Sequence, residues 1–216
     1  MIFLRYESFR GYLKSFPITS SIVAICTLYF IFLFFMGNPN EGNFAYQYGA
    51  ILTHPVENPF SLDQPWRYVT SIFMHANFMH LLQNMMMLII MAPPLERIMK
   101  SGRYLIFYLL CGIGGNFISA CVNNLEGNIG IEGIHVAVGA SGAIYGVLGA
   151  YLFLVVFRKK WLDPSSIKTI YWIVGSGIIF SLIYSRVDLW GHVGGLITGF
   201  VLYRLFDRIA ARKRKG

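Results

Sequence analysis

One apolar run opens with Gly139-Ala140-Ser141-Gly142-Ala143-Ile144-Tyr145-Gly146 and continues to Phe157. It is long enough to cross much of the ~30 Å hydrocarbon core of a bilayer as an α-helix, at ~1.5 Å per residue. Its serine, Ser141, lies between glycines at one end of the run and is a candidate nucleophile. About fifty residues further on, His192 lies inside a second apolar run and is a candidate base for that serine. The two stretches predict a site shared by two apolar helices.

The composition indicates a membrane protein. Of the 216 residues, 56% are hydrophobic and only 13% are charged, which leaves too little polar surface for a soluble domain. The net charge of +8 falls in short clusters between apolar runs, as in cytoplasmic loops, so we expect no nucleic-acid partner. The three cysteines lie in apolar runs without metal-ligand spacing, and we expect buried thiols.

Six apolar runs are long enough to span a bilayer as helices, at roughly 18–36, 68–91, 104–122, 137–157, 167–184 and 189–206. The first lacks an Ala-x-Ala-like exit, which favours a retained span over a signal peptide. The sequence therefore predicts an all-α membrane protein with six transmembrane helices. Residues 1–17 form an amino-terminal tail, 18–206 the six-span core with a long outer loop at 37–67, and 207–216 a basic tail.

The basic residues predict the orientation. Sixteen of the eighteen lysines and arginines alternate onto one side of the predicted spans, and cytoplasmic loops retain positive charge. Both termini are therefore expected in the cytoplasm. The outer loop 37–67 mixes prolines, aromatic and polar residues, so we expect it to lie on or partly in the outer leaflet. Pro93-Pro94 is expected to break the end of the second span, because proline lacks a backbone donor.

All ten carboxylates are expected in loops or within about one turn of a span end. Ionisable groups inside a span are costly and mark candidate functional sites. The position of the ten carboxylates argues against the paired acids of an aspartyl protease and against a carboxylate-based transporter. No His-Glu-x-x-His pattern is present, so a zinc protease would lack its ligands and its base.

The polar groups that remain inside the predicted spans are His75, His80 and His192, with Ser141 at the start of its run. The second, fourth and sixth spans run in the same direction, so these groups share the outer half of the bilayer. His80 and Asn84 lie four residues apart on one helix face, and both can donate a hydrogen bond. On a single helix, His75 lies about 140° from His80, and we interpret it as structural or substrate-proximal.

Glycines link the two candidate runs. Gly142-x-x-x-Gly146 and Gly191-x-x-x-Gly195-x-x-x-Gly199 are stripes of small residues that allow membrane helices to approach closely. Ser141 and His192 flank these stripes, so an imidazole could come within hydrogen-bond reach of the hydroxyl. The first backbone N–H groups of a helix have no intrahelical partner, and the Ser141 N–H is therefore a candidate donor to an oxyanion.

At these residues the chain resembles the rhomboid family of intramembrane serine proteases. The likeness covers about residues 60–206 and rests on Trp66-Arg67, His75, His80-x-x-x-Asn84, Gly139-x-Ser141-Gly142 with Tyr145, and Gly191-His192-x-Gly194-Gly195 with Gly199. It implies a rhomboid-like six-helix bundle in which Ser141 is the nucleophile and His192 the general base and acid. It also implies an oxyanion hole of His80, Asn84 and the Ser141 backbone, with Tyr145 under the His192 ring. The implied substrates are transmembrane segments of other proteins, cut near the outer face without a metal or cofactor.

Other interpretations stay open. Ser141 could cap its helix, and His192 could be an interhelical hydrogen-bonding group. Asp188 suggests a triad, but we expect a helix N-cap facing solvent there, and the resemblance implies a Ser-His dyad.

The chain could be a non-catalytic relative that binds membrane helices, or a channel or transporter with a polar path of histidines. As a multi-pass protein with a short polar tail, it is expected in a prokaryotic cell (inner) membrane.

Overall fold

The computed structural model describes residues 2–4, 6–54, 56–126, 135–184 and 187–213. Arg5, Arg214 and Lys215, three of the sixteen basic residues that predict the orientation, lie outside these ranges, as does Arg186. The helices are α1 (Phe9–Ser15), α2 (Pro17–Met36), α3 (Gly42–Gln47), α4 (Arg67–Phe73), α5 (Phe78–Met99), α6 (Ser101–Glu126), α7 (Ser141–Phe157), α8 (Pro164–Ile183) and α9 (Leu189–Lys213), and the strands are β1 (Ile51–Thr53) and β2 (His135–Ala137).

The protein is mostly helical, and its longest helices are apolar. Within the ranges given above, four helices are long and apolar enough to cross a membrane: α2, α5, α6 and α8. Helix α7 is apolar but has only 17 residues, and α9 carries His192 among its glycines. The structure is thus a helical membrane fold, and each of the six predicted spans overlaps at least one of its helices.

The predicted second span is two helices. Helix α4 ends at Phe73 and α5 begins at Phe78, so the prediction of one helix over 68–91 is wrong. Asn77 caps α5, because its side chain accepts a hydrogen bond from the His80 N–H at 2.9 Å. Asparagine favours this cap over a helix interior, and the new start interrupts the apolar run.

Helix α5 runs through Pro93 and Pro94 to Met99, so the predicted helix end at the two prolines is also wrong. Proline at position 93 removes the N–H that would bond the Ile89 carbonyl. The Tyr12 hydroxyl of α1 donates to that carbonyl at 3.1 Å. A side chain from another helix therefore replaces a bond that the proline removes.

Glu96 was expected in a loop, but it lies in the last turn of α5 and is 1% exposed. Its carboxylate accepts hydrogen bonds from the N–H groups of Ile18 at 3.0 Å and Thr19 at 2.9 Å. The hydroxyls of Thr19 and Ser101 also donate to it, at 2.6 and 2.7 Å. Ile18 and Thr19 are in the first turn of α2, where the N–H groups have no partner within the helix. Glu96 thus caps α2 and joins three helices.

Helices α7 and α9 meet through their glycines. A Cβ on Gly195 would overlap the carbonyl oxygen of Gly142, and one on Gly199 would overlap that of Gly146. Helix α6 reaches the same contact, since a Cβ on Gly115 would lie 2.8 Å from the carbonyl oxygen of Gly191. The predicted close approach of the two helices is confirmed, and a third helix shares it.

The outer loop is tied to the segment that leads into α7. Strands β1 and β2, which were not predicted, pair antiparallel with Leu52 opposite Val136. Gly139 then turns the chain at a φ of 131°, which side chains rarely allow. Its N–H donates to the Ser71 carbonyl at 2.9 Å. Because of this strand and turn, α7 begins at Ser141, as expected for the backbone donor there, although the apolar run itself extends back to about residue 137.

Candidate active site

Ser141 is the first residue of α7. The cap position before it is held by Ala140, so the interpretation of Ser141 as the helix cap is wrong. Its side chain is half-buried. As the first helical residue it has a backbone N–H without an intrahelical partner, at the positive end of the helix dipole. Ser141 can therefore supply both a side-chain hydroxyl and a backbone N–H donor at the same place.

His192 is held beside the first turns of α7. Its ring stacks on the ring of Tyr145 with a centroid separation of 4.1 Å and an interplanar angle of 10°. Tyr145 lies four residues after Ser141 and so shares its helix face. The backbones meet at the same level, because a Cβ on Gly142 would lie 3.4 Å from the Gly191 carbonyl oxygen. Helix packing thus brings His192 to the end of α7 that begins with Ser141.

Within the described part of the chain, no hydrogen bond joins the Ser141 hydroxyl to the His192 ring. Hydrogen bonds between catalytic groups are often long in a free enzyme and shorten in the complex with substrate. Ser141 and His192 are therefore neighbouring groups on packed helices, and this geometry is compatible with acyl-transfer chemistry.

Ser181 is the residue at this site that sequence reasoning missed. Its Oγ lies 2.7 Å from Nδ1 of His192 and donates to the Gly177 carbonyl at 2.8 Å. It belongs to α8, eleven residues before His192. The only signal in the sequence was the small-residue spacing Gly177-x-x-x-Ser181, which marks close helix packing but no chemistry.

Asp188 caps α9, as predicted, but it does not simply face solvent. Its Oδ1 accepts hydrogen bonds from the Gly191 N–H and the Ser119 hydroxyl, both at 2.8 Å. The Ser119 contact turns the carboxylate towards α6, and Asp188 is half-buried. Because Ser181 occupies Nδ1 of His192, a serine and not an aspartate lies behind the imidazole.

His80 and Ser141 both lie close to Gly139. A Cβ on Gly139 would be 2.9 Å from Nε2 of His80 and 3.7 Å from Oγ of Ser141. A side chain at position 139 would therefore meet the His80 ring. Asn84 is buried one turn further along α5, and its amide donates to the His80 carbonyl at 2.8 Å. The structure therefore brings His80 close to Ser141 and ties Asn84 to the backbone beneath His80.

His75 lies in the break between α4 and α5. Its ring meets the His80 ring edge to face, with centroids 5.1 Å apart. The predicted separation of about 140° between His75 and His80 is wrong, because no continuous helix joins them. Both ring nitrogens of His75 are buried without a hydrogen-bond partner among the described residues. In the same part of the chain, no group of three His, Cys, Asp or Glu side chains is arranged to hold a metal.

Trp66 and Arg67 anchor the outer loop. The guanidinium of Arg67 lies over the ring of Tyr46 at 3.8 Å and over that of Trp66 at 4.4 Å. It donates to the Ala50 carbonyl at 2.9 Å and to the Gln64 side chain at 2.9 Å. Stacking of this kind stabilises a buried cation. Trp66 and Arg67 contact the outer loop and hold it against the start of α4.

Comparisons with known proteins identify the family of the chain. The family model for the Rhomboid domain matches residues 62–208. The chain is 30% identical over 205 residues to YdcA of Bacillus subtilis (strain 168), which is provisionally named a rhomboid protease, and the match covers 93% of this chain and 94% of YdcA. It is 34% identical over 135 residues to the rhomboid protease GluP of the same organism, covering 62% of this chain and 25% of GluP.

A plant relative extends the comparison. The chain is 27% identical over 233 residues to RHOMBOID-like protein 1 of Arabidopsis thaliana, and the match covers 93% of this chain and 56% of that protein. Fold and sequence together define an integral membrane protein of a protease class. The chain belongs to the rhomboid family.

Proposed function

We propose that the chain is an intramembrane serine endopeptidase that hydrolyses peptide bonds in or next to transmembrane segments of other membrane proteins. Ser141 is the nucleophile, and His192 is the general base and acid. The observation that carries the proposal is the stack of His192 on Tyr145, one turn from Ser141. The glycine contacts between α7 and α9 support it, because they hold the two helices at backbone distance.

The proposed reaction proceeds through an acyl-enzyme. The Ser141 hydroxyl attacks the carbonyl carbon of the scissile bond while the His192 imidazole takes its proton. The tetrahedral intermediate then collapses, and the imidazolium gives the proton to the leaving amine. Water attacks the resulting ester, with His192 again as base, and Ser141 recovers its proton when the carboxylic acid product leaves.

The negative charge of the tetrahedral intermediate requires donors. We assign them to the Ser141 N–H and to the His80 and Asn84 side chains. The position of His80 beside Gly139, which also lies close to the Ser141 hydroxyl, supports this assignment. Loss of one such donor typically costs on the order of 3 kcal/mol of transition-state stabilisation.

The decisive experiment is labelling with a fluorophosphonate probe, which reacts with an activated serine. Wild-type protein is expected to be labelled, and Ser141→Ala is expected to lose the label. Ser176→Ala is the matched control, since this exposed serine of α8 lies outside the site, and it should retain the label. Co-expression with a library of single-span membrane proteins should show cleavage that also depends on Ser141. Labelling that survives Ser141→Ala would contradict the proposal.

A second candidate is a non-catalytic relative that binds membrane helices. The observation that favours it is that, in the described ranges, Ser141 and His192 make no mutual hydrogen bond. Such a protein should bind a transmembrane segment and show no Ser141-dependent labelling. A channel or transporter would give the same negative labelling result but would conduct or exchange a solute.

We also propose a topology of six spans, with both termini in the cytoplasm of a prokaryotic cell. In it, α4 and α5 together form the second crossing, and α7 and α9 are the fourth and sixth. The charge pattern supports this arrangement. An ion pair of 2.6 Å between Arg158, after α7, and Asp207 of α9 is consistent with parallel helices that leave the membrane on one side.

Cysteine accessibility tests this topology. In a background without Cys26, Cys111 and Cys121, Asn40→Cys in the outer loop should react with a membrane-impermeant maleimide in intact bacterial cells. Arg10→Cys in the amino-terminal tail should react only after the membrane is permeabilised. Both side chains are exposed, so burial does not limit the reaction. The reverse pattern of labelling would overturn the proposed orientation.

A further inference from the structure

Ser181 lies directly behind the imidazole of His192. Its Oγ is 2.7 Å from Nδ1 of His192 and 2.8 Å from the carbonyl oxygen of Gly177. Ser181 is 4% exposed and His192 is 8% exposed, so these three groups satisfy one another away from solvent. Neither the nucleophile nor the proposed oxyanion donors use this contact.

The protons at this contact can be counted. A serine hydroxyl has one proton to donate, and the Gly177 carbonyl can only accept. When the hydroxyl donates to Gly177, it must accept from Nδ1, which then carries the ring proton. Neutral imidazole has a single N–H, so Nε2 is left with a lone pair. The opposite arrangement would set two oxygens 2.8 Å apart with no proton between them.

We infer that Ser181 is a positioning residue that selects the Nδ1–H tautomer of His192 and leaves Nε2 free to take the Ser141 proton. This inference rests on the proposed function, since a base is needed only if Ser141 is a nucleophile. It assigns to a neutral hydroxyl the role that an acidic side chain performs in a catalytic triad.

The packing around the His192 ring fixes the orientation of the ring and so maintains the hydrogen bond between Nδ1 and Ser181. Tyr145 covers one face of the His192 ring, with the two planes only 10° from parallel. The Tyr145 hydroxyl in turn lies against Gly177, where a Cβ would overlap it. A half-turn of the imidazole would set a carbon against Ser181 Oγ and lose the bond of Nδ1. The ring therefore has one preferred orientation, and α8 supplies the group that specifies it.

The tautomer can be read directly by NMR. In protein carrying ¹⁵N-labelled histidine, in detergent micelles, the ring shifts assigned by comparison with His192→Ala should show protonated Nδ1 and unprotonated Nε2 at His192. Ser181→Ala should convert part or all of this signal to the Nε2–H form. Ser181→Thr keeps a hydroxyl and should restore the wild-type pattern. Ser176→Ala is the matched control, because its hydroxyl bonds the Trp172 carbonyl at 2.7 Å on the exposed side of α8.

Kinetics give the second readout. Ser181→Ala should lower kcat about tenfold with little change in KM, the loss expected for one neutral hydrogen bond to a reacting group. Ser181→Thr should recover most of the rate, and Ser176→Ala should not change it. If Ser181→Ala keeps the Nδ1–H signal, the inference is overturned, whatever the value of kcat. An equal loss in Ser181→Ala and Ser176→Ala would also overturn it, because that pattern indicates a general effect on α8.

The two proposals fail separately. If wild-type protein shows no Ser141-dependent labelling, the protease proposal fails, and the NMR signal of Ser181→Ala still decides whether Ser181 sets the tautomer. If labelling succeeds and the tautomer does not respond to Ser181, only the positioning role is lost.

Discussion

Replacing His192 with alanine is expected to reduce peptide hydrolysis by about 10³-fold, because a positioned general base contributes on the order of 10²–10⁴ to the rate. The variant should remain folded, since the contact between α7 and α9 is made by glycines and backbone atoms. The measurement is kcat on a single-span substrate in liposomes, with thermal unfolding of the same sample to verify the fold. A folded variant that retains wild-type kcat would remove His192 from the mechanism.

Asp188→Asn is the matched control for this prediction. Asparagine keeps an oxygen that can accept from the Gly191 N–H and from the Ser119 hydroxyl, so the cap of α9 is preserved. The variant should retain most of its activity, because the carboxylate bonds these two groups and Ser181 bonds Nδ1. A loss as large as that of His192→Ala would show that the negative charge of Asp188 acts on the imidazole.

Replacing Glu96 with alanine is expected to lower the free energy of unfolding by about 3 kcal/mol or more. The change leaves four donors of α2 and α6 without their acceptor, two of them on the buried Thr19, and an unsatisfied buried donor costs about 1–3 kcal/mol. Glu96→Gln should lose less, because one amide oxygen still accepts while the amide nitrogen faces the remaining donors. Unfolding by sodium dodecyl sulfate, starting from a mild detergent, measures both values.

Arg97→Ala provides the comparison for Glu96. Arg97 is the next residue on α5, and its ion pair with Glu7 has an arginine side chain that is 65% exposed. Exposed pairs of this kind contribute about 0–1 kcal/mol, so the variant should unfold close to wild type. Equal destabilisation by Arg97→Ala and Glu96→Ala would mean that the end of α5 is generally sensitive and that the carboxylate has no special role.

Hydropathy predicted where the long apolar helices are, because the length of an apolar run is a property of the local sequence, but it did not predict the short helices α1 and α3. It did not predict where helices break within a run. The interruption at His75 depends on the cap formed by Asn77, and a single asparagine is a weak signal in an apolar stretch. The continuation through Pro93 depends on a hydroxyl from Tyr12, 77 residues away from the carbonyl that it bonds. Neither feature is visible in a window of neighbouring residues.

The candidate site was predictable to the extent that its chemistry has a local pattern. Ser141 and His192 each lie beside glycines at a spacing typical of packed membrane helices, and this spacing predicted that their helices meet. Ser181 shares a small-residue spacing with Gly177, but that spacing gives no sign of chemistry, because serine is common in apolar helices and the partner of Ser181 lies on another helix. Glu96 was assigned to a loop for the same reason: three of the four donors that make its burial tolerable come from Ile18 and Thr19, far away in the sequence.

The contact between α7 and α9 has a consequence for how the sequence can change. At Gly195 and Gly199 the atoms that a side chain would meet are carbonyl oxygens of the facing helix. A bulky residue in an ordinary core can be accommodated when its neighbour becomes smaller, but a main-chain oxygen cannot be exchanged for a smaller atom. No compensating substitution on α7 could therefore restore the fit after a larger residue enters these positions of α9.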